Sequence, residues 1–132
     1  SKKYRALKKE PKLYLWDWSQ IKNSGARLEN LVASHLLKFC NYFWDQEGYK
    51  CELHYLRDQE KREVDFLVTL DKKPWFAVEV KQSSEQLHKN LRYFKERLFI
   101  PYCYQVTLNS EEDYIKDNIR VMPLSKFLSA LI

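Results

Sequence analysis

The sequence predicts an α/β domain with its elements in the order α-β-β-β-α-β. Apolar residues recur at helical spacing over residues 26–45 and again over 84–98, and three runs with strand-like alternation lie between them. Turn-forming residues mark the joins. A chain of 132 residues fits one domain, in which 45% hydrophobic and 15% aromatic residues supply a core and 31% charged residues keep the surface in water.

The elements follow in order. Residues 1–12, "SKKYRALKKEPK", hold six basic groups and one acid, so this arm carries the whole net charge of +5 and residues 13–132 sum to zero. Such an arm serves as a linker from a removed upstream region, or it touches phosphates. It lacks the hydrophobic stretch of a signal peptide, and no apolar run reaches bilayer length, so the expectation is a cytoplasmic protein with no membrane segment. After Pro11, "KLYLWDW" reads as an aromatic-rich strand closed by the turn-prone "SQIKNSG". In the first helix Leu28, Val32, Leu36, Phe39 and Phe43 form one side, and Gly48 stops it.

"KCELHYLR", "EVDFLVTL" and "PWFAVEVKQ" are successive strands, the last two joined by "DKK", and should form a meander. The second helix, from about Ser84 to Leu98, buries Leu87, Leu91, Phe94 and Leu98 and ends before Pro101. "PYCYQVTL" supplies a further strand and "NSEEDYIKDN" a loop or turn. "IRVMP" adds a short strand and "LSKFLSALI" a short amphipathic helix. Cys40, Cys51 and Cys103 lack zinc-site spacing and are expected as buried free thiols; the scattered His35, His54 and His88 are given no role. Trp16, Trp18, Trp44 and Trp75 are assigned to the core.

Two of the strands carry charges that an apolar strand should avoid. Alternation puts Val64, Phe66, Val68 and Leu70 on one face and Glu63, Asp65, Leu67 and Thr69 on the other. In the next strand Glu79 and Lys81 point the same way, with Trp75 and Ala77. Pairing through the short turn lets Asp65 and Glu79 converge. Two close carboxylates need a cation or shared protons, and a hard divalent ion such as Mg²⁺ accepts one or two carboxylates with waters and phosphates. Lys81 would hold or help deprotonate an attacking water and steady phosphate charge. Glu29 shares a helix column with Ala33, Leu36 and Cys40, so it also needs a partner: the same metal, or a salt bridge to Lys81 or Arg27.

"GARLENLVASHLL", "REVDFLV" and "FAVEVKQS", in that order, resemble the PD-(D/E)xK nuclease superfamily. Together with "KLYLWDWS" and "IRVMPLSKFLSAL", they are similar to the C-terminal domain of unknown function of prokaryotic AAA-type ATPases, over roughly residues 12–132. The resemblance implies a restriction-endonuclease-like αβββαβ core with a central mixed sheet flanked by helices. It also implies a Mg²⁺- or Mn²⁺-dependent deoxyribonuclease activity, with an upstream ATPase domain in the full-length protein. By the same resemblance Asp65 and Glu79 are metal ligands, Lys81 is the catalytic lysine, and Glu29 is the helix acid of resolvase-like branches, acting as catalytic residue and ligand. Val64-Asp65 stands where the superfamily has "PD", and no Q-x-x-x-Y element follows in the second helix. The chain lacks GxxxxGK and so has no ATP site. Gln82, Lys89, Arg92 and Lys95, with Arg97, would approach a DNA backbone; an ordinary solvated helix face accounts for the helical ones equally well. The alternative function is a catalytically inactive nuclease-fold module that binds DNA or protein and directs the attached ATPase.

Overall fold

The computed structural model describes residues 24–83 and 86–131. The basic arm and the strand expected in "KLYLWDW", with Trp16 and Trp18, lie outside the described residues. The elements are α1 (Ser24–Glu47), β1 (Cys51–Arg57), β2 (Glu63–Leu70), β3 (Lys73–Lys81), α2 (Lys89–Leu98), β4 (Tyr102–Thr107), β5 (Tyr114–Lys116), β6 (Ile119–Pro123) and α3 (Leu124–Ala130). They form one six-stranded mixed sheet in the order β1-β2-β3-β4-β6-β5. β1, β2 and β3 make the expected antiparallel meander, β4 and β6 run parallel to β3, and β5 returns antiparallel to β6.

Helices cover both faces. Leu28, Val32, Ala33, Leu36 and Cys40 of α1, with Leu124 and Phe127 of α3, pack on Phe66, Val68, Phe76, Val78 and Val106. On the other face Leu91, Phe94 and Leu98 of α2 pack on Val64, Leu67, Ala77, Cys103 and Val121. β3 is therefore buried on both sides from Phe76 to Val80, which explains its nearly unbroken apolar run. All three cysteines are free and buried.

α1 ends where expected. Gly48 takes φ +79° and its N–H donates to the Trp44 carbonyl at 2.9 Å, a left-handed helix stop that glycine adopts without strain. A Cβ there would meet nothing within 4 Å. Gly48→Ala therefore strains only the backbone, and urea unfolding should show a loss of about 1 kcal/mol. The β2–β3 turn places Asp71 and Lys72 at φ 49° and 68°, as a two-residue hairpin turn requires. Asp71 and Lys50 exchange hydrogen bonds, the Asp71 N–H to the Lys50 carbonyl and the Lys50 N–H to Asp71 Oδ1, at 2.8 and 3.0 Å.

Five details correct the sequence reading. α2 begins at Lys89, because His88 is extended (ψ 121°) and caps the helix with its own ring; Leu87 is buried ahead of the helix rather than in it. β5 lies within the expected loop, paired to β6 although each of its residues is exposed. The β1–β2 register shifts between His54 and Leu56, so β2 holds an extra residue and Val64 joins Leu67 on the α2 face, away from Phe66 and Val68. A second shift, between Val68 and Thr69, opposes Thr69 to Pro74, and Trp75 packs with Phe76 on the α1 face. Trp44, assigned to the core, is 42% exposed.

Candidate functional site

The site lies where β2 and β3 part. Their ladder runs from Leu70 opposite Lys73 to Phe66 opposite Val78 and stops, although both strands continue. Asp65 and Glu79 come next, and their side chains replace the missing ladder bonds. The Asp65 N–H donates to Glu79 Oε1 at 3.1 Å, and the Val80 N–H donates to Asp65 Oδ2 at 2.8 Å. Each carboxylate thus satisfies the backbone of the opposite strand, which a buried N–H requires. An apolar side chain at either position would leave a donor without its acceptor.

Lys81 and a histidine complete the cluster. The Lys81 ammonium stands 3.6 Å from Glu79 Oε2, and His88 Nε2 stands 3.4 Å from the same oxygen. Glu79 is only 6% exposed, so these donors reach a carboxylate with little water around it. On its other side β3 pairs with β4, with Glu79 beside Gln105 and Lys81 beside Thr107. Gln105 is fully buried; its Oε1 accepts the His88 N–H at 2.8 Å and its Nε2 donates to the Gln86 carbonyl at 3.3 Å. That pair of bonds ties the segment before α2 to the strand next to the acids.

Burial sets the electrostatics. It raises the Asp65 carboxyl well above its usual 3.8, helped by the neighbouring Glu79 and then Glu29, against the pull of the Val80 N–H and Lys81. It also pushes Glu79 up to about 7, opposed by the Asp65 N–H and by Lys81. Glu29 is raised by burial and then by Glu63, with Lys81 acting against both. Both acids of the pair therefore hold their protons to higher pH than free carboxyls do.

The structure brings Asp65, Glu79 and Lys81 together, with Glu29 in electrostatic range of all three. Among the described residues no group of three or more His, Cys, Asp or Glu side chains is gathered closely enough to hold a metal. The five residues considered for DNA contact differ in what they touch, and the Arg97 guanidinium lies 5.4 Å from the centre of the Tyr93 ring. Gln82 and Lys89 are exposed near the site, and Arg92 faces Asp117 at 3.4 Å. Lys95 sits in the last turn of α2 and donates to the Ile100 and Pro101 carbonyls at 3.0 and 3.3 Å, closing the α2–β4 connection.

His88 and Gln105 escape a reading of the sequence. Histidine is a rare N-cap, and a lone glutamine inside "YCYQVT" has nothing to mark what it holds. The only signal is Gln105 itself, a polar residue in an apolar strand, which must find partners when buried.

A mixed sheet covered by helices on both faces, split beside an acid pair and a lysine, defines an α/β domain with a polar site at a strand separation. The chain belongs to the family described as Domain of unknown function (DUF4143), which it matches over residues 24–127. No curated protein and no solved structure matched the chain significantly. Among the described residues no helix is long and apolar enough to cross a membrane.

Proposed function

We propose that the domain is a PD-(D/E)xK nuclease-like unit with a restriction-endonuclease-like core, hydrolysing phosphodiester bonds in DNA with Mg²⁺ or Mn²⁺. In this reading it is the C-terminal part of a prokaryotic AAA-type ATPase. One observation carries it: two close acids, Asp65 and Glu79, face each other across separating strands with the Lys81 ammonium 3.6 Å from one of them. A sheet needs no such arrangement for stability, since like carboxylates in a poorly solvated gap oppose folding.

The donor set suits a hard divalent ion, being all oxygen, with one oxygen of each carboxylate also bound to backbone. Asp65 and Glu79 would hold it, and Glu29 adds negative charge nearby. Bound there, the ion supplies a water of lowered pKa and polarises the phosphate. Lys81 orients that water and balances charge growing on the phosphate oxygens.

Incubating the protein with supercoiled, linear and single-stranded DNA and Mn²⁺ tests this. Cleavage that stops with EDTA and in Asp65→Ala is expected; no cleavage of any form, or cleavage unchanged in Asp65→Ala, overturns it. One observation favours a second reading, a non-enzymatic nuclease-fold module that directs the attached ATPase. Glu79 is already satisfied by the Asp65 N–H, Lys81 and His88, and residues 13–132 carry no net charge to draw DNA. In that case the protein binds no divalent ion.

A further inference from the structure

We infer that His88 is a positioning residue of this site, a fixed Nε2–H donor facing Glu79 that its own capping role bars from ligating a metal. The inference rests on the metal-dependent reading above and names a residue that reading lacks.

The ring is defined from both sides. His88 Nδ1 accepts the Asn90 N–H at 3.2 Å, the N-cap bond of α2. A neutral imidazole whose Nδ1 lone pair is in use carries its proton on Nε2. His88 Nε2 stands 3.4 Å from Glu79 Oε2, a separation a small side-chain shift would shorten into a hydrogen bond. An Nε2 that holds a proton has no lone pair for a metal, so the imidazole can serve the site only as a donor to the carboxylate.

The backbone is fixed as well. The His88 N–H is held by Gln105 Oε1 at 2.8 Å, and Gln105 neighbours Glu79 in the β3–β4 ladder. Ring and carboxylate are therefore positioned by adjacent strands and one helix terminus, with little freedom between them. Glu79 has the Asp65 N–H on Oε1 and both Lys81 and His88 at Oε2, which sets the orientation in which its lone pairs meet an incoming ion. Donors behind a ligating carboxylate commonly change metal affinity by about tenfold to a hundredfold when removed.

His88→Asn separates the two roles, because asparagine caps a helix well but is too short to reach Glu79. Mn²⁺ titration at one fixed pH, read by calorimetry and by electron paramagnetic resonance, is expected to show thermal stability retained and affinity reduced about tenfold or more. ¹⁵N spectra of histidine-labelled, metal-free protein are expected to show the proton on Nε2. Wild-type affinity in His88→Asn overturns the inference and leaves the metal site standing. So does a directly coordinated nitrogen that disappears in His88→Asn, or a proton found on Nδ1. A wild type that binds no Mn²⁺ overturns the proposed function, and the inference with it.

Discussion

Asp65→Asn is expected to eliminate Mn²⁺-dependent cleavage, by at least about a thousandfold, and at the same time to make the metal-free protein more stable at pH 8. Removing charge that stabilises a phosphoryl transition state has effects of that size. The stability gain has a separate origin. The substituted amide keeps an acceptor for the Val80 N–H, which Asp65 Oδ2 serves at 2.8 Å, so the strand contact survives while the buried like charge goes. Replacing buried, repelling charge by a neutral group of equal volume stabilises by about 1–3 kcal/mol. Few structural residues show this opposition between activity and stability.

The pH dependence follows from the same groups. Asp65 and Glu79 have folded pKa values raised above the ordinary 3.8 and 4.5, so the folded state keeps protons that the unfolded chain releases. Their contribution is fully present below about pH 4 and is lost as pH rises through the folded values, for Glu79 between 4.5 and about 7. For Glu79 alone this reaches at most about 3 kcal/mol. His54 acts in the opposite sense: burial lowers its pKa from 6.5, so stability is lost as pH falls below that value. Chemical denaturation at several pH values should therefore give a wild-type stability that falls toward pH 8, and a flatter curve for Asp65→Asn. Saturating Mn²⁺ at about a hundred times its dissociation constant should restore about 2.7 kcal/mol to the wild type and nothing to the variant. An Asp65→Asn protein that is less stable at pH 8, or that still cleaves, contradicts this account.

Much of the fold is legible in the sequence because periodicity and punctuation agree. β2 and β6 match the runs "EVDFLVTL" and "IRVMP" to the residue, and Leu28, Val32 and Leu36 form the buried side of α1 as their spacing requires. The departures have physical reasons. A bulge changes the face of every residue beyond it, and no residue type in "REVDFLV" announces the extra position; simple alternation therefore groups Val64 with Phe66. β5 is three exposed residues with no alternation to read. A shared face anticipates the pairing of Asp65 with Glu79, yet the structure achieves it by parting the strands and sending each carboxylate to the opposite backbone. Long-range capping is the least visible of all, since His88 and Gln105 are 17 residues apart.

Gln105→Leu tests whether that capping holds site and fold together. The side chain is fully buried, and leucine fills a similar volume, so the substitution removes little packing. It does remove the acceptor of the His88 N–H and the donor to the Gln86 carbonyl, both on the segment leading into α2. A part-buried backbone donor left unsatisfied at His88 costs about 1–3 kcal/mol, whereas Gln86 is exposed and its carbonyl can turn to water, so the variant should lose roughly 1–3 kcal/mol in urea unfolding. The loss should not be spread evenly. Hydrogen exchange is expected to accelerate first at residues 86–91, while β1 and β2 remain protected, because their ladder makes no use of this contact. If His88 is positioned through Gln105, Mn²⁺ affinity falls in the same variant, in step with His88→Asn, and the double variant is no weaker than either alone. Uniform acceleration of exchange, or a loss below about 0.5 kcal/mol, would mean that the glutamine only fills space and that the segment before α2 is held by other contacts.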